Sequence, residues 1–543
     1  MIPLHVHSNY SLLEGVITID EIIDKAVSYG LSSVALTDTN GMYGLVEFYK
    51  KAKEKNINPI LGTYIDEPTD KRVYALFLAK NSEGYSDICK IITARKLKEN
   101  FSLFKLLQDE FPNLFILTNS VKLLQNILNY GNVYAELIIT KSNKLNAGKL
   151  YAIAKEKNFK CVISNPVYFL EPEDYLLHKV VTAIKNRSTL ENLGENDLVD
   201  KEFYFGSLSA FDSLKNKIPE TFSNADFIAK QCKFDLDLRT NQVPNFPNNS
   251  KYSTFTLLTQ YAYEGLEKRY GKVEKETSDR LEEELKVIDE LGIADYFLIV
   301  YDIYLEARRR KMMTLTRGSA ANSLVCYCLG LTEVDPIKYD FYFTRFLNKS
   351  RSSLPDIDID FSWKERDEIV QYVFNKYGYN RVAFISTHVT MKARSAFRET
   401  AKVFGVSESE ISTMSKYIPW TDAKNLPDIS KRFPESKSLN FNNEPWKSII
   451  NIASRLAKFP RHLSIHPGGI VISPLSITTY TALEYAANKG VGLIITQPDM
   501  HGVEDLGLIK IDLLSQRALG VLRDSISLIK ENKYFISSLK NVS

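Results

Sequence analysis

Short apolar runs alternate with amphipathic segments through about the first 230 residues of the chain. The runs have the length of strands, whereas segments such as 19–29 and 45–55 repeat their apolar positions with helical spacing. Repeated units of a strand followed by a helix imply parallel strands, either in a doubly wound sheet or in a barrel. The predicted strands are 33–37, 59–65, 73–78, 114–118, 134–140 and 160–164.

The pattern changes after residue 240. Residues 240–253 are rich in Asn, Pro and Ser, which predicts a linker and a domain boundary. Farther on, 280–291 is amphipathic, and 296–301 is a continuous apolar run that fits either a buried strand or the core side of a helix. Residues 388–462 have a mostly helical pattern, and 518–531 reads as one helix.

A row of acidic residues interrupts the apolar pattern in 354–361, where Asp356, Asp358 and Asp360 alternate with isoleucines. A period of two predicts a strand with the carboxylates on one face and the isoleucines on the other. Like charges on one strand face repel each other, but a divalent cation can offset this because hard metals bind carboxylate oxygens. The alternative is a solvated edge strand with an acidic outer face.

Two other stretches bear on that row. Glycine and serine are dense in 316–323, which predicts a helix start whose outward amides, with Arg317 and the Ser319 hydroxyl, suit a triphosphate; a plain helix cap is the alternative. Asp512 lies in the apolar run 507–514, where an aspartate is unfavourable unless it is paired or bound to a metal. A Gly-Ser loop, an Asp-x-Asp strand and a distant third carboxylate together describe a nucleotidyltransferase site with two Mg²⁺ ions.

Basic residues cluster in two places. Residues 308–311 are four consecutive basic residues, which indicate a solvated helix end or, beside an active cleft, a phosphate contact. The basic residues of the segment 391–402 are Lys392, Arg394, Arg398 and Lys402. The last three are four residues apart and share a helical face, which is typical both of a phosphate-tracking stripe and of ordinary surface solvation.

Histidines give weaker signals. His5 and His7 share one face of a predicted strand, a spacing that suits a metal, and Asp38 follows the strand at 33–37. Chance or a structural hydrogen bond explains His-x-His equally well, and a metal would need at least one more ligand. For His462 and His466, a structural hydrogen bond and a contact to nucleotide or template are equally good interpretations.

Composition narrows the class of protein. With 543 residues the chain is expected to form ~3–4 domains or lobes. Its net charge of +3 offers no whole-chain electrostatic argument for nucleic acid, so any basic surface must be local. The five cysteines have no zinc-like spacing, which predicts buried thiols in a reducing compartment. No run of 18 apolar residues and no signal segment is present, so we expect a cytoplasmic location.

The N-terminal motifs resemble the PHP (polymerase and histidinol phosphatase) domain of bacterial DNA polymerase III α subunits. The resemblance rests on residues 4–15 (LHVHSNYSLLEG), 35–38, 58–62 and 77–85. It implies a distorted (β/α)7 barrel that can carry a trinuclear metal site.

The departures from this family concern the metal ligands. Thr39, Tyr64 and Tyr74 stand where active members have His, Glu and His, and 165–168 reads Asn-Pro-Val-Tyr in place of Asn-Asp-Val-His. The ligands that survive are His5, His7 and Asp38. Three scattered ligands are too few for a metal cluster. We therefore expect a vestigial site, no PHP-domain metals, and no metal-dependent exonuclease or phosphatase activity.

Residues 280–520 resemble the palm of C-family replicative polymerases nearly continuously. The motifs that carry this resemblance are 317–321, 335–336, 345–348, 355–361 and 509–512. It implies that Asp356, Asp358 and Asp512 are catalytic and hold two Mg²⁺ ions, while Asp360 has a structural role outside the trio. It also implies that Gly318 and Ser319, with Arg317, contact the triphosphate; Thr316 replaces a usual glycine. Residues 459–472 look closest to the error-prone branch.

The predicted architecture is a multidomain α/β chain with a PHP-type barrel and a nucleotidyltransferase-like mixed α/β palm that carries an inserted helical thumb. The thumb would grip the DNA backbone through the basic stripe. The predicted domains are 1–235 (PHP), 236–275 (linker and start of palm), 276–387 (palm), 388–462 (thumb), 463–520 (palm) and 521–543 (start of fingers). The chain is expected to stop before most of the fingers and the sliding-clamp contact.

Two classes of function follow from these patterns. The first is a DNA polymerase subunit that adds deoxynucleotides to a primer on template DNA, together with a complementary chain that carries the fingers and clamp contact. The second is a catalytically silent protein that binds primer-template or a replisome partner. Retention of the three aspartates and the Gly-Ser loop favours the first, and the early end of the chain favours the second. A phosphatase is a distant third.

Overall fold

The structure, a computed structural model, describes residues 2–206, 212–238, 240–248, 250–348, 357–486 and 493–540, with only the backbone described for 212, 213 and 533–540. The chain forms two compact units. The first unit consists of Met1–Leu236, Ser386–Ser464 and Thr478–Gly502, and the second consists of Asp237–Ile385, Ile465–Ile477 and Val503–Ser543.

The first unit contains a sheet whose strands follow chain order. They are β1 (Ser33–Leu36), β2 (Asn58–Glu67), β3 (Asp70–Ala79), β4 (Leu114–Thr118), β5 (Val133–Ile138) and β6 (Lys160–Ser164). The six strands predicted between residues 33 and 164 are present, with boundaries that differ by a few residues, whereas the strand predicted at His5 and His7 is reduced to an isolated bridge of Val6 with Val167. Pairing is parallel between β1 and β2, between β4 and β5, and between β5 and β6.

The prediction of uniformly parallel strands is wrong for β3, which pairs antiparallel with both β2 and β4. Only Pro68 and Thr69 separate β2 from β3. A parallel crossover needs a dozen or more residues, so a connection of this length can form only a hairpin.

Helices lie between the strands of this sheet and after it. They are α1 (Ile19–Ser28), α2 (Leu45–Glu54), α3 (Ser82–Leu97), α4 (Leu103–Leu106), α5 (Val121–Asn126), α6 (Lys144–Glu156), α7 (Tyr175–Asn186), α8 (Asp212–Lys215) and α9 (Pro219–Gln231). Helix α1 begins where the sequence predicts because Thr18 and Glu21 form a reciprocal capping box that satisfies otherwise unpaired amides.

The second unit begins with helices and continues into strands. Its elements up to residue 385 are α10 (Thr254–Tyr270), α11 (Lys275–Glu290), α12 (Ala294–Arg309), β7 (Thr314–Arg317), α13 (Leu324–Cys328), β8 (Asp358–Ser362), α14 (Arg366–Tyr377) and the first part of β9 (Val382–Thr390). The apolar run 296–301 therefore lies in a helix, the second of its two predicted alternatives. Between α9 and α10 the described residues form no helix, as the linker composition predicts.

Residues 388–462 are helical, as predicted. They contain α15 (Ala393–Val403), α16 (Glu408–Ser415), α17 (Ile429–Arg432) and α18 (Trp446–Arg455). Phe397 of α15 and Ile449 of α18 share one hydrophobic core with Val180 and Val181 of α7. The segment 386–464 is therefore packed within the first unit.

The remaining elements are β10 (Pro460–Ile472), β11 (Leu483–Tyr485), β12 (Ile494–Asp499), α19 (Met500–Asp505), β13 (Lys510–Gln516) and α20 (Arg517–Lys540). Within the second unit the strand order is β10-β13-β8-β7. Antiparallel β10 and parallel β8 flank β13, and β7 runs antiparallel along the other side of β8.

The state of the cysteines agrees with the expectation from composition. All five cysteines are unpaired and buried, as predicted. Among the described residues, no helix combines the length and the apolar character needed to cross a membrane.

Candidate active site

Strand pairing in the second unit brings two of the predicted catalytic carboxylates together. In the parallel register of β13 and β8, Asp512 lies directly beside Asp358. On the other side of Asp358, the antiparallel register of β7 places Arg317 next to it. Asp512 therefore lies on the strand that neighbours the Asp-x-Asp strand, as predicted, although 153 residues separate the two in the chain (358 to 512).

The alternation of side chains explains why these polar groups are held at one face. Ile511 and Leu513 are buried on either side of Asp512, and Ile357 and Ile359 are buried on either side of Asp358. Because successive strand residues point to opposite faces, burial of the aliphatic side chains fixes the aspartates on the other face.

Asp512 has one satisfied oxygen and one that lacks a partner. Its Oδ2 accepts a hydrogen bond of 3.0 Å from Lys510 Nζ, whereas its Oδ1 is buried without a hydrogen-bond partner among the described residues. His466 Nδ1 lies 3.7 Å from Oδ1, but that nitrogen accepts the Gly469 amide at 2.8 Å and so has no proton to donate. A buried, unsatisfied carboxylate oxygen next to a second carboxylate fits a cation ligand.

Asp360 pairs with Arg317, the residue that is predicted to contact the triphosphate. Its carboxylate is almost fully buried and receives both Nε and Nη2 of Arg317, the latter at 3.0 Å. Such a bidentate pair fixes the plane of the guanidinium. The Arg317 side chain is still 48% exposed, so its outer face is open to an anion.

The Gly-Ser loop forms a turn before a helix, and the first amides of that helix are bound within the protein. Gly318 has φ of +76°, a value that glycine adopts without strain, and the turn Gly318–Asn322 leads into α13. The amides at the start of α13 are not free to bind an anion. The Leu324 and Val325 amides donate to the Glu284 carboxylate, a residue on α11 that the sequence analysis did not select.

The third predicted carboxylate, Asp356, lies outside the described residues. Within the described ranges, no group of three or more His, Cys, Asp or Glu side chains has a geometry that could hold a metal. The two described aspartates would supply part of a metal coordination sphere. A further ligand would have to come from Asp356 or from the substrate.

The predicted phosphate stripe of α15 is engaged within the protein. Arg394 donates to the carbonyl of Ile418, Arg398 donates to Ser415 Oγ and pairs with Glu408, and Lys402 lies 3.5 Å from the same carboxylate. These contacts tie α15 to the segment that follows it. The cluster 308–311 shows the same feature, because Arg309 and Arg310 both pair with Glu306 on the last turns of α12.

In the first unit, the two N-terminal histidines bind each other and a buried glutamate. His5 Nδ1 lies 2.8 Å from Glu136 Oε1, and His5 Nε2 lies 3.0 Å from His7 Nε2. Tyr74 donates its hydroxyl to the other oxygen of Glu136 at 2.7 Å. Burial alone would raise the pKa of Glu136, but His5 and the hydroxyl donors hold the pKa below its usual value.

One arrangement of protons satisfies the cluster. Ser11 Oγ donates to Asp38, so it accepts from His7 Nδ1, and His7 Nε2 then accepts from His5. Burial and the neighbouring His5 lower the pKa of His7, which agrees with its being neutral. In this arrangement neither histidine presents a free lone pair to a metal.

Aromatic rings occupy the positions at which the family would have metal ligands. Tyr168 stacks on His7 with ring centroids 4.0 Å apart, and Tyr64 stacks on Tyr74 at 4.3 Å. Thr39 donates its hydroxyl to Glu14 at 2.7 Å. Burial raises the pKa of all three tyrosines well above the usual value, so their hydroxyls stay protonated.

Two carboxylates without exposed surface, Glu136 and Glu284, were not among the predicted site residues. Glu136 is the lone charge in the strand Val133–Ile138, the same signal that identified Asp512, and it could have been found on that ground. Glu284 is one of three consecutive glutamates on α11, and only its helical phase distinguishes it from its exposed neighbours.

Comparison with known proteins relates the chain to bacterial DNA polymerases. The DNA polymerase III subunit alpha of Bacillus subtilis (strain 168) is 33% identical over 100% of this chain and 50% of its own length. The error-prone DNA polymerase of Symbiobacterium thermophilum is 31% identical over 98% of this chain and 52% of its own length. The profile of the bacterial DNA polymerase III alpha NTPase domain matches residues 256–515, and the PHP domain profile matches residues 3–171.

The chain is similar to bacterial DNA polymerase III alpha subunits along nearly its whole length. It carries a PHP domain followed by the polymerase III alpha NTPase domain, and Asp358, Asp512 and Arg317 all lie in the latter. The chain spans about half the length of the curated relatives that it matches. Relatives named DNA polymerase III subunit alpha and relatives named error-prone DNA polymerase match at similar identity, so identity does not distinguish the two groups.

The PHP domain of this polymerase III alpha relative is expected to bind no transition-metal cluster, because its histidines bind protein groups. After incubation with Mn²⁺ or Zn²⁺ and desalting, elemental analysis should give the same metal content for the wild type and for a His5→Ala/His7→Ala double variant. Two or more tightly bound ions that the double variant loses would contradict this prediction.

Glu136→Gln is expected to destabilise the PHP domain by about 2–4 kcal/mol, because the amide nitrogen would face a buried donor and the charge opposite His5 would be lost. Urea denaturation, followed by hydrogen exchange of peptides from β1 to β6, measures the effect. The matched control is Glu156→Gln at the exposed end of α6. Equal stability of both variants would show that the buried pair is not a stabilising element.

Proposed function

We propose that this chain is the part of a DNA-directed DNA polymerase that holds the nucleotidyl-transfer site, adding deoxynucleoside monophosphates to a primer 3′-hydroxyl in DNA replication or translesion synthesis. The observation that carries the proposal is the pairing of Asp358 with Asp512 on adjacent strands, next to Arg317, in a chain similar to bacterial DNA polymerase III alpha subunits.

The carboxylates would hold divalent metal ions. Asp358 and Asp512 would be joined by Asp356, and the unsatisfied Oδ1 of Asp512 supports a cation at this place. Magnesium is the expected ion because it prefers a few carboxylates together with substrate phosphates. Two such ions, when bound, would stabilise the attacking hydroxyl and the leaving pyrophosphate. Lys510, whose Nζ lies 3.0 Å from Asp512 Oδ2, would hold this carboxylate in place.

Arg317, Gly318 and Ser319 would bind the triphosphate of the incoming nucleotide. Asp360 would act through Arg317 by fixing its guanidinium, a more specific role than the structural one expected from the sequence. The amides of α13 are already paired with Glu284, so the triphosphate contacts would come from the turn before that helix.

The finer domain assignment supports the same function. We assign 276–387 and 463–520 to a palm, 388–462 to a thumb, and the N-terminal part to a distorted (β/α)7 barrel. Primer-template DNA would contact the thumb through the basic residues Lys392, Arg394, Arg398 and Lys402. Arg394, Arg398 and Lys402 already contact acceptors within the protein, so each would have to bind a DNA phosphate in addition to these acceptors. A chain that carries fingers and a clamp contact is the expected partner, in the cytoplasm.

Asp358→Asn and Asp512→Asn should each abolish Mg²⁺-dependent primer extension, because each removes a metal-binding charge. Asp360→Asn should leave extension measurable and raise KM for the deoxynucleotide about tenfold, as expected for the loss of one charge-assisted contact that orients Arg317. Asp289→Asn, on the exposed side of α11, is the control. An Asp360 variant as inactive as the other two would contradict the distinction.

The assay should be run with the chain alone and with a second chain that supplies the remaining half of a full-length relative. If the wild type extends no primer in either case but binds the duplex, the chain is a binding module and not a polymerase subunit.

A further inference from the structure

A fully buried glutamate lies behind the proposed triphosphate turn. Glu284 projects from α11 and has no exposed surface, although carboxylates are almost never fully buried unless they are paired. It does not belong to the carboxylate pair on β8 and β13. Its neighbours are residues 323–325, which directly follow the turn Gly318–Asn322.

Every acceptor position of this carboxylate is used. Oε2 accepts the Ser323 hydroxyl at 2.8 Å and the Val325 amide at 3.1 Å, and Oε1 accepts the Leu324 amide at 3.0 Å and Arg280 Nε at 2.8 Å. Burial raises the pKa of Glu284, and this influence outweighs those of the two amides and Arg280, which lower the pKa. The two amides and Arg280 can only donate, so three of these four contacts require carboxylate oxygens that accept.

A chain of hydrogen bonds continues from Glu284 to the turn. Arg280, held by the carboxylate, donates Nη2 to the carbonyl of Asn322 at 3.3 Å and to that of Phe341 at 3.1 Å. Asn322 in turn donates its side-chain amide to the carbonyl of Ser319 at 2.9 Å. The turn is thus connected at its C-terminal end to a buried charge on another helix.

The N-terminal end of the turn is held separately. Arg317 is the last residue of β7, and its guanidinium is fixed by Asp360. Between these two anchors, Gly318 adopts a backbone conformation that other residues rarely adopt. The position of Ser319 therefore depends on both anchors, one on β8 and one on α11.

We propose that Glu284 is a positioning residue for the incoming nucleotide: it fixes the C-terminal side of the turn Gly318–Asn322, so that Ser319 and Arg317 face the triphosphate together. The inference rests on the proposed function, and it goes beyond that function by assigning the second anchor of the turn. Glu284 touches neither nucleotide nor metal and acts through Ser323, Arg280 and Asn322.

The conservative variant Glu284→Gln isolates this role. Glutamine has the same shape, but one of its two terminal atoms is an amide nitrogen, which would face two donors instead of accepting them. The turn would have to shift, whereas the carboxylates of β8 and β13 would be unchanged. Glu283→Gln is a matched control, since Glu283 is the exposed neighbour on the same helix. Ser323→Ala removes a single donor and is a milder second variant.

The experiment measures three quantities on the full chain. They are the affinity for dATP with Mg²⁺, the affinity for a primer-template duplex, and hydrogen exchange of peptides that cover residues 314–331. For Glu284→Gln we expect dATP affinity to fall about tenfold, as for the loss of a buried charge-assisted hydrogen bond, and exchange in 318–325 to accelerate. Duplex affinity should stay at the wild-type value, which a general loss of folding would not allow.

The outcomes separate the inference from the proposed function. A folded Glu284→Gln protein with wild-type dATP affinity and exchange overturns the inference, while a loss of affinity in Arg317→Ala upholds the triphosphate site. If the wild type itself binds no dATP, the proposed function fails, and the nucleotide role of Glu284 fails with it. If Glu284→Gln does not fold, Ser323→Ala decides: wild-type affinity and exchange in that variant overturn the inference.

Discussion

The parallel pairing of β13 with β8 is the constraint on which the site depends. It places Asp512 beside Asp358 at the separation of neighbouring strands, where two carboxylates repel each other. Burial of the isoleucines and leucine on the opposite face prevents the strands from relieving this repulsion by a shift of one residue. Lys510 compensates part of the charge, and one oxygen of Asp512 has no hydrogen-bond partner in the part of the chain that the structure describes.

The two candidate metal sites of the chain differ in how their polar atoms are satisfied. In the PHP domain, His5, His7 and Glu136 satisfy one another, and stacked tyrosines fill the space around them. In the second unit, the buried oxygen of Asp512 has no such partner among the described residues. A buried polar atom is stable only when it is bonded, so the first arrangement is complete by itself, whereas the second leaves an oxygen that a ligand would satisfy.

Buried and half-buried charges also organise the surroundings of the site. Asp360 fixes Arg317, and Glu284 collects amides and a hydroxyl from the segment after the turn. On α15, Arg398 and Lys402 share Glu408. Each of these pairs joins residues on different elements, so charge pairing here determines the relative placement of elements as well as the properties of the surface.

The sequence by itself determined most of the local structure and indicated the candidate site residues. The alternation of Asp and Ile predicted a strand with carboxylates on one face, and the lone Asp512 in an apolar run indicated a carboxylate that needs a partner or a metal. Tertiary structure decided what each charge binds. Arg317 binds Asp360, Arg394 and Arg398 bind acceptors within the chain, and Glu284 accepts the amides of α13. All of these contacts join residues that are distant in sequence.

The antiparallel hairpin of β2 and β3 was not predicted, although its two-residue connection is visible in the sequence, because the repeated strand-helix pattern outweighed that signal. Periodicity reports which face of an element is buried, but it carries no information about which element covers that face, and the partners of a charged side chain depend on the latter.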